Sequence, residues 1–307
     1  MVLVVDTAAG GIIEEFTIHN AEQYRREYPR LAQTLDRPNA APAPGEVEFL
    51  EWVTDSAASN FDRMLVGTDI FFAAAIISIL APEIAIEIGT ASGFSAAIFA
   101  KIISLREAES GRRSTRTLVH TVDKLLMCDH DRLKPIGFAI ELMTPELRDR
   151  IQLHLERDSS YCREVSESGE MIGFVDANHR HPWPLCDVLQ VLRLMRRGWI
   201  LMHDIALPQA VECARAAGQL VTFEPSFGAK HVFDFWPDRK IRSVNIGAVR
   251  IPDCRDALKG FVSKLRTFPG EVSPGSWRHR WRTIDTLIAS DSAPRTFSWT
   301  NWMRHRP

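Results

Sequence analysis

Apolar positions in this chain follow two rhythms. From Ile84 onward, short runs rich in β-branched residues alternate with stretches of helical spacing. Ile84–Ile88, Leu118–Val122, Ile151–Leu155, Ile172–Val175 and Trp199–Met202 predict strands. Between them, Phe94–Leu105 predicts a helix. Leu185, Val188, Leu189, Leu192 and Met195 predict another over 185–197, closed by Gly198. Strands alternating with helices predict an α/β fold, a doubly wound and mostly parallel sheet covered on both faces. Val244–Val249 reads as a late, antiparallel edge strand.

The two ends of the chain break this rhythm. A polar helix over Ala21–Leu35 and a Pro/Ala-rich connector, Pro38–Gly45, mark residues 1–60 as a separate helical or lid region. Residues 61–252 carry the alternating pattern. Residues 253–307 hold a helix and an arm in which Trp277, Trp281, Trp299 and Trp302 lie among arginines. Such an arm suits a subunit contact in a homo-oligomer, or stacking on RNA bases. The rest of the chain has no basic stripe, and 37 Lys+Arg against 39 Asp+Glu leave a net charge of −2. That balance gives no general pull toward nucleic acid or acidic membranes. The apolar run Ile70–Ala81 is too short to cross a bilayer, which takes about 20 residues. The N-terminus lacks the basic flank of a secretory signal, and the five cysteines are widely spaced, which together fit a cytoplasmic protein. A chain of 307 residues with 45% hydrophobic residues can bury a core without disulfides or a structural metal.

The candidate chemistry lies in the turns that follow strands. Glu87-Ile-Gly89-Thr90-Ala-Ser92-Gly93 leaves the first predicted strand and enters a helix. The carboxyl end of a parallel strand is where α/β folds bind ligands. Gly89 allows a tight turn, and Gly93 allows the helix to start close to a ligand. The spacing lacks the middle glycine through which a dinucleotide pyrophosphate approaches, Ala91 standing there instead, which disfavours NAD. A second group forms where Gly173-Phe-Val-Asp176-Ala-Asn178-His179-Arg-His181 and Trp199-Ile-Leu-Met-His203-Asp204 turn abruptly polar. The helix between them makes these neighbouring parallel strands, so Asp176, His203 and Asp204 converge near the glycine turn. Two carboxylates and an imidazole suit a divalent cation. Each residue also has a plain structural use, as a turn former or a packed histidine.

The run Glu87-Ile-Gly-Thr-Ala-Ser-Gly-Phe-Ser95 resembles motif I of class I S-adenosylmethionine-dependent methyltransferases. Asp176 with His203-Asp204 resembles the metal-dependent O-methyltransferases that act on catechols, small molecules and sugars, over roughly residues 61–250. The resemblance implies a Rossmann-like methyltransferase sheet. It implies S-adenosylmethionine held by Glu87, Gly89, Thr90, Ser92, Gly93, Asp123, Asp158 and Asp176, with Asp123 on the ribose and Asp158 near the adenine. It further implies Mg²⁺ or another divalent cation on Asp176, His203 and Asp204, and a small-molecule acceptor, with neither nucleic acid nor membrane as partner. Where several relatives carry an aspartate as general base, this chain has Asn178, which takes no proton near neutrality. Either His179 or His181 becomes the candidate base, since an imidazole titrates near neutrality, or the metal alone activates the nucleophile, or the activity has been lost. Three other readings stay open: an oxygenase-like relative with the same cluster, a non-catalytic binder of the cofactor, and an RNA methyltransferase that uses the arm.

Overall fold

The computed structural model describes residues 3–6, 11–57, 65, 67–112, 114–129, 131–166, 168–218, 227–254 and 256–268. The Trp/Arg-rich arm lies outside them. The strands are β1 (Leu3–Asp6), β2 (Gly11–Glu15), β3 (Ile84–Ile88), β4 (Val119–Val122), β5 (Ile151–His154), β6 (Met171–Val175), β7 (Trp199–Met202), β8 (Lys240–Ser243) and β9 (Ile246–Arg250). The helices are α1 (Ala21–Thr34), α2 (Glu46–Trp52), α3 (Gly67–Leu80), α4 (Phe94–Glu109), α5 (Phe138–Met143), α6 (Trp183–Leu194), α7 (Leu207–Ala216), α8 (Gly228–Phe235) and α9 (Asp256–Leu265).

The strands form one sheet in the order β1-β2-β8-β9-β7-β6-β3-β4-β5. Strands β7, β6, β3, β4 and β5 run parallel to one another. Parallel strands need cover on both faces and therefore read as continuous apolar runs, which is why every residue of β3 is buried. The order reverses at β3, with β4 on one side and β6 on the other. The carboxyl ends of β3 and β6 therefore flank the crevice where such sheets take ligands.

Two expectations change here. Val244–Val249 is not an edge strand: β9 runs antiparallel to β7 on one side and β8 on the other. The first sixty residues do not stand apart from the sheet, because β2 extends it by pairing parallel with β8. The expected "polar" helix α1 also has a buried face of Tyr24, Tyr28, Leu31 and Ala32. Its start is fixed reciprocally: Asn20 accepts from the Gln23 amide, and the Gln23 side chain accepts from the His19 amide. The apolar run after Gly67 is α3, buried along almost its whole length in a core shared with α1 and α4. A helix apolar on every side is stable only when enclosed in this way. No helix among the described residues is long and apolar enough to cross a membrane.

Candidate active site

The turn from β3 into α4 is built by close backbone approach. Gly89 has φ +101°, and a Cβ there would lie 2.2 Å from the Asp176 carbonyl oxygen, so no side chain fits. The Asp176 amide donates to the Ile88 carbonyl (2.9 Å), tying the ends of β6 and β3 together. Asp123, just past β4, braces the turn. Its Oδ2 accepts from the Thr90 and Ala91 amides at 3.1 and 3.0 Å, and its Oδ1 accepts from Leu125. These bonds hold Ala91 at φ +45°, a left-handed conformation that alanine rarely takes. Gly93 serves packing: a Cβ there would meet Gly137 and Ile140 at 2.8 Å, so the missing side chain admits the loop before α5 and not a ligand.

Glu87, expected beside a cofactor, points into the core. It accepts from the hydroxyls of Ser95 and Thr121, and Thr121 bonds Thr90 at 2.6 Å. Burial pushes its carboxyl up to about 8, against the opposing pull of the two hydroxyl bonds. It therefore carries a proton at neutrality and links β3, β4 and α4. Thr90 and Ser92 are likewise buried.

The second polar group converges as expected and gains members. His203 Nδ1 lies 3.0 Å from Asp176 Oδ1 and 3.6 Å from Asp204 Oδ1. Its Nε2 lies 3.2 Å from Oδ2 of Asp69, in the first turn of α3. Burial disfavours charge on this ring, but Asp176 above all, then Asp69 and Asp204, outweigh it and raise the imidazole well above its ordinary value. His179 Nε2 lies 3.1 Å from Asp204 Oδ2 and 3.9 Å from Asp176 Oδ1, and its side chain is 26% exposed. Asp204 itself sits at φ +58°, and Asn245 donates to its Oδ1 at 2.6 Å. Asn245 is held by the amides of the segment it faces: its Oδ1 accepts from Ala206 and its carbonyl from Ile205. It follows Val244, a β-branched residue at φ +50° in the β8–β9 turn. Backbone strain gathered at a polar cluster marks a functional candidate.

The structure separates the other candidates from this cluster. His181 is buried, with Nε2 3.2 Å from the Leu265 carbonyl and its ring edge-on to His231; burial lowers its pKa to about 4. That placement ties it to the last carbonyl of α9 and removes it from the candidate bases. Asn178 is exposed and accepts from the Arg180 amide, forming a turn. Asp158 is exposed and caps a short 3₁₀ turn through the Ser160 amide. Phe71, Phe72, Phe233 and Trp236 are buried in the core. A surface cavity lined by Glu83, Arg106, Arg112 and Arg116 lies at the opposite end of β3. Its arginines already pair with Glu83 and Glu109 and with backbone carbonyls, which makes it an ion-pair network remote from the site.

Sequence reasoning missed Asp69 and Asn245. Asp69 left a signal, the single charged residue in a mostly apolar helix. Asn245 left none, since it follows a valine that reads as part of a strand.

The family model for a methyltransferase domain matches residues 86–205. This segment is a methyltransferase domain. Its limits enclose the glycine turn, Asp123, Asp176, His179, His203 and Asp204. The expectation of a methyltransferase on a mostly parallel, Rossmann-like sheet is borne out. Asp69 and Asn245 lie outside the methyltransferase domain, on elements that this chain folds back against it. No curated protein matches the chain in sequence. Among solved structures it is similar to the O-methyltransferase from Bacillus cereus in complex with SAH, at 16% identity over 76% of this chain and 100% of that one, TM-score 0.44. It is similar to the O-methyltransferase TomG from Streptomyces achromogenes, involved in tomaymycin synthesis and solved with SAM, at 13% identity over 74% and 99%, TM-score 0.43. A third is the SAH-bound Podospora anserina methyltransferase PaMTH1, at 17% identity over 80% and 88%, TM-score 0.39.

Proposed function

We propose that the chain is an S-adenosylmethionine-dependent O-methyltransferase acting on a hydroxyl of a small molecule, with a divalent cation at the acceptor site. One observation carries the reading. The strained, Asp123-braced turn after β3 and the Asp176–His203–Asp204–His179 cluster meet at the reversal point of the sheet, joined through the Asp176–Ile88 backbone bond.

The sulfonium donor supplies an activated methyl group. The acceptor oxygen takes that methyl, the C–S bond breaks with its electron pair left on sulfur, and the hydroxyl proton must go to a base. His179 is placed for that role. A neutral ring that donates from Nε2 to Asp204 keeps its lone pair on Nδ1, free to take the proton. Asp204 fixes the ring's orientation. The turn at Gly89–Gly93 and Asp123 would hold the nucleoside, and Asp123 keeps one Oδ1 lone pair for a ribose hydroxyl beyond the three used on Thr90, Ala91 and Leu125.

The donor set fits a cation. Atoms of Asp176, His203 and Asp204 lie within 4.8 Å of one another, with Asp176 and His203 at 3.0 Å. Ligands held about 2.1 Å from one ion at right angles stand about 3 Å apart. Bound there, a divalent cation would lower the pKa of a coordinated acceptor hydroxyl.

Calorimetric titration with S-adenosylhomocysteine, with and without Mg²⁺ or Mn²⁺, tests the reading. A panel of phenolic and sugar hydroxyls is then assayed for methyl transfer. The expected result is nucleoside binding without metal and metal-stimulated transfer. Absence of nucleoside binding overturns the assignment. Full transfer in the presence of a chelator overturns the cation.

A further inference from the structure

We infer that Asp69 is a positioning residue that commits Nδ1 of His203 to the cation and so biases the site toward ions that accept imidazole nitrogen, such as Mn²⁺, Co²⁺ or Zn²⁺, over Mg²⁺. The inference rests on the cation reading of the cluster proposed above.

Asp69 is 1% exposed and stands at the start of a helix whose other buried residues are apolar apart from Ser78. Its Oδ2 meets His203 Nε2, while its Oδ1 has no hydrogen-bond partner among the described residues. A carboxylate enclosed in apolar surroundings with one partner is costly to keep, and its partner is therefore what it is kept for. An imidazole that donates from Nε2 to a carboxylate presents its Nδ1 lone pair on the other side. Here that nitrogen points between Asp176 Oδ1 and Asp204 Oδ1. In this structure Nδ1 lies within hydrogen-bond distance of Asp176 Oδ1, so a proton on Nδ1 occupies the place that a cation would take. Metal-bound histidines characteristically donate their other ring N–H to a carboxylate, which fixes the ring and raises its basicity. Asp69 has that geometry and comes from α3, outside the methyltransferase domain. Because one of the three donors is nitrogen, borderline cations gain over Mg²⁺, which prefers oxygen and holds its water.

The test uses the full chain stripped of metal, titrated separately with Mn²⁺, Co²⁺ and Mg²⁺ by calorimetry. Nitrogen hyperfine modulation in the Mn²⁺ spin echo reports imidazole ligation. Wild type is expected to bind Mn²⁺ and Co²⁺ more tightly than Mg²⁺ and to show the nitrogen signal. Asp69→Leu should weaken Mn²⁺ and Co²⁺ by about 10–100-fold with a smaller effect on Mg²⁺. Asp69→Asn, which keeps an acceptor but not the charge, should fall between. Unchanged binding of S-adenosylhomocysteine shows that the variants fold, and Asp69→Asn serves if Asp69→Leu does not. His203→Asp should abolish the preference for Mn²⁺ over Mg²⁺. An Asp69→Asn protein with the wild-type Mn²⁺/Mg²⁺ ratio and nitrogen signal overturns the inference while the cation reading stands. A wild-type protein that binds the nucleoside but no cation overturns both.

Discussion

Two buried polar clusters in this protein are both built on carboxylates and differ in balance. In the first, Glu46 at the start of α2 accepts from Tyr24 and Ser78 and from the Ala43 amide, and Ser78 also bonds Tyr28 at 2.9 Å. One carboxylate faces hydroxyl and amide donors, and burial raises its pKa. Its acceptors are filled, and it ties α1, α2 and α3 together. In the second, three carboxylates of Asp69, Asp176 and Asp204 surround one buried imidazole, with a second imidazole at the rim. There acceptors outnumber donors, and backbone strain at Asp204 and Val244 accompanies the excess. A satisfied buried cluster is architecture; an unsatisfied one with strained backbone is a place built for something added.

Substitutions can break this contrast. The largest effect is expected in the unbalanced cluster. Asp204→Ala or His179→Asn should lower methyl transfer by about 10²–10⁴-fold while S-adenosylhomocysteine affinity persists, as single-turnover kinetics and calorimetry would show. Gly89→Ala should come next, because its Cβ would overlap a backbone carbonyl that cannot yield; a loss of about 3 kcal/mol or more in chemical denaturation is expected. In the balanced cluster, Glu46→Ala strands the Tyr24 and Ser78 hydroxyls, costing about 2–4 kcal/mol of stability. Glu46→Gln should cost less, because burial already favours the neutral form.

A finer effect distinguishes Glu87. The unfolded chain releases its proton near 4.5, whereas the folded protein holds it to about 8. Between those values folding takes up a proton, so stability falls as pH rises. Glu87→Gln should flatten that part of the stability profile, measured by denaturation across the same range. The smallest effect should come from His181→Asn, which leaves kcat unchanged in the protein that folds. A large loss of kcat there would return His181 to the active site.

Much of this was legible from pattern. The parallel strands are apolar runs because both faces are covered, so β3, β4, β6 and β7 announce themselves, and the polar residues at their ends announce the site. Local chemistry likewise places the glycine turn. Chain order made Asp176, His203 and Asp204 neighbours, because α6 joins two adjacent parallel strands.

What sequence left open was every choice that depends on distance across the fold. Spacing treats His179 and His181 as equals; only packing sends one to Asp204 and the other to the Leu265 carbonyl. Glu87 lies in the motif but faces inward, because a strand residue's face is fixed by register and by what covers it. Asp69 lies 134 residues from His203, and no local rule links them. Hydrophobic periodicity determines which segments become strands and helices, since each must bury its own apolar face. Which polar side chains then meet is decided by the docking of whole elements, a property of tertiary packing that no short window of sequence contains.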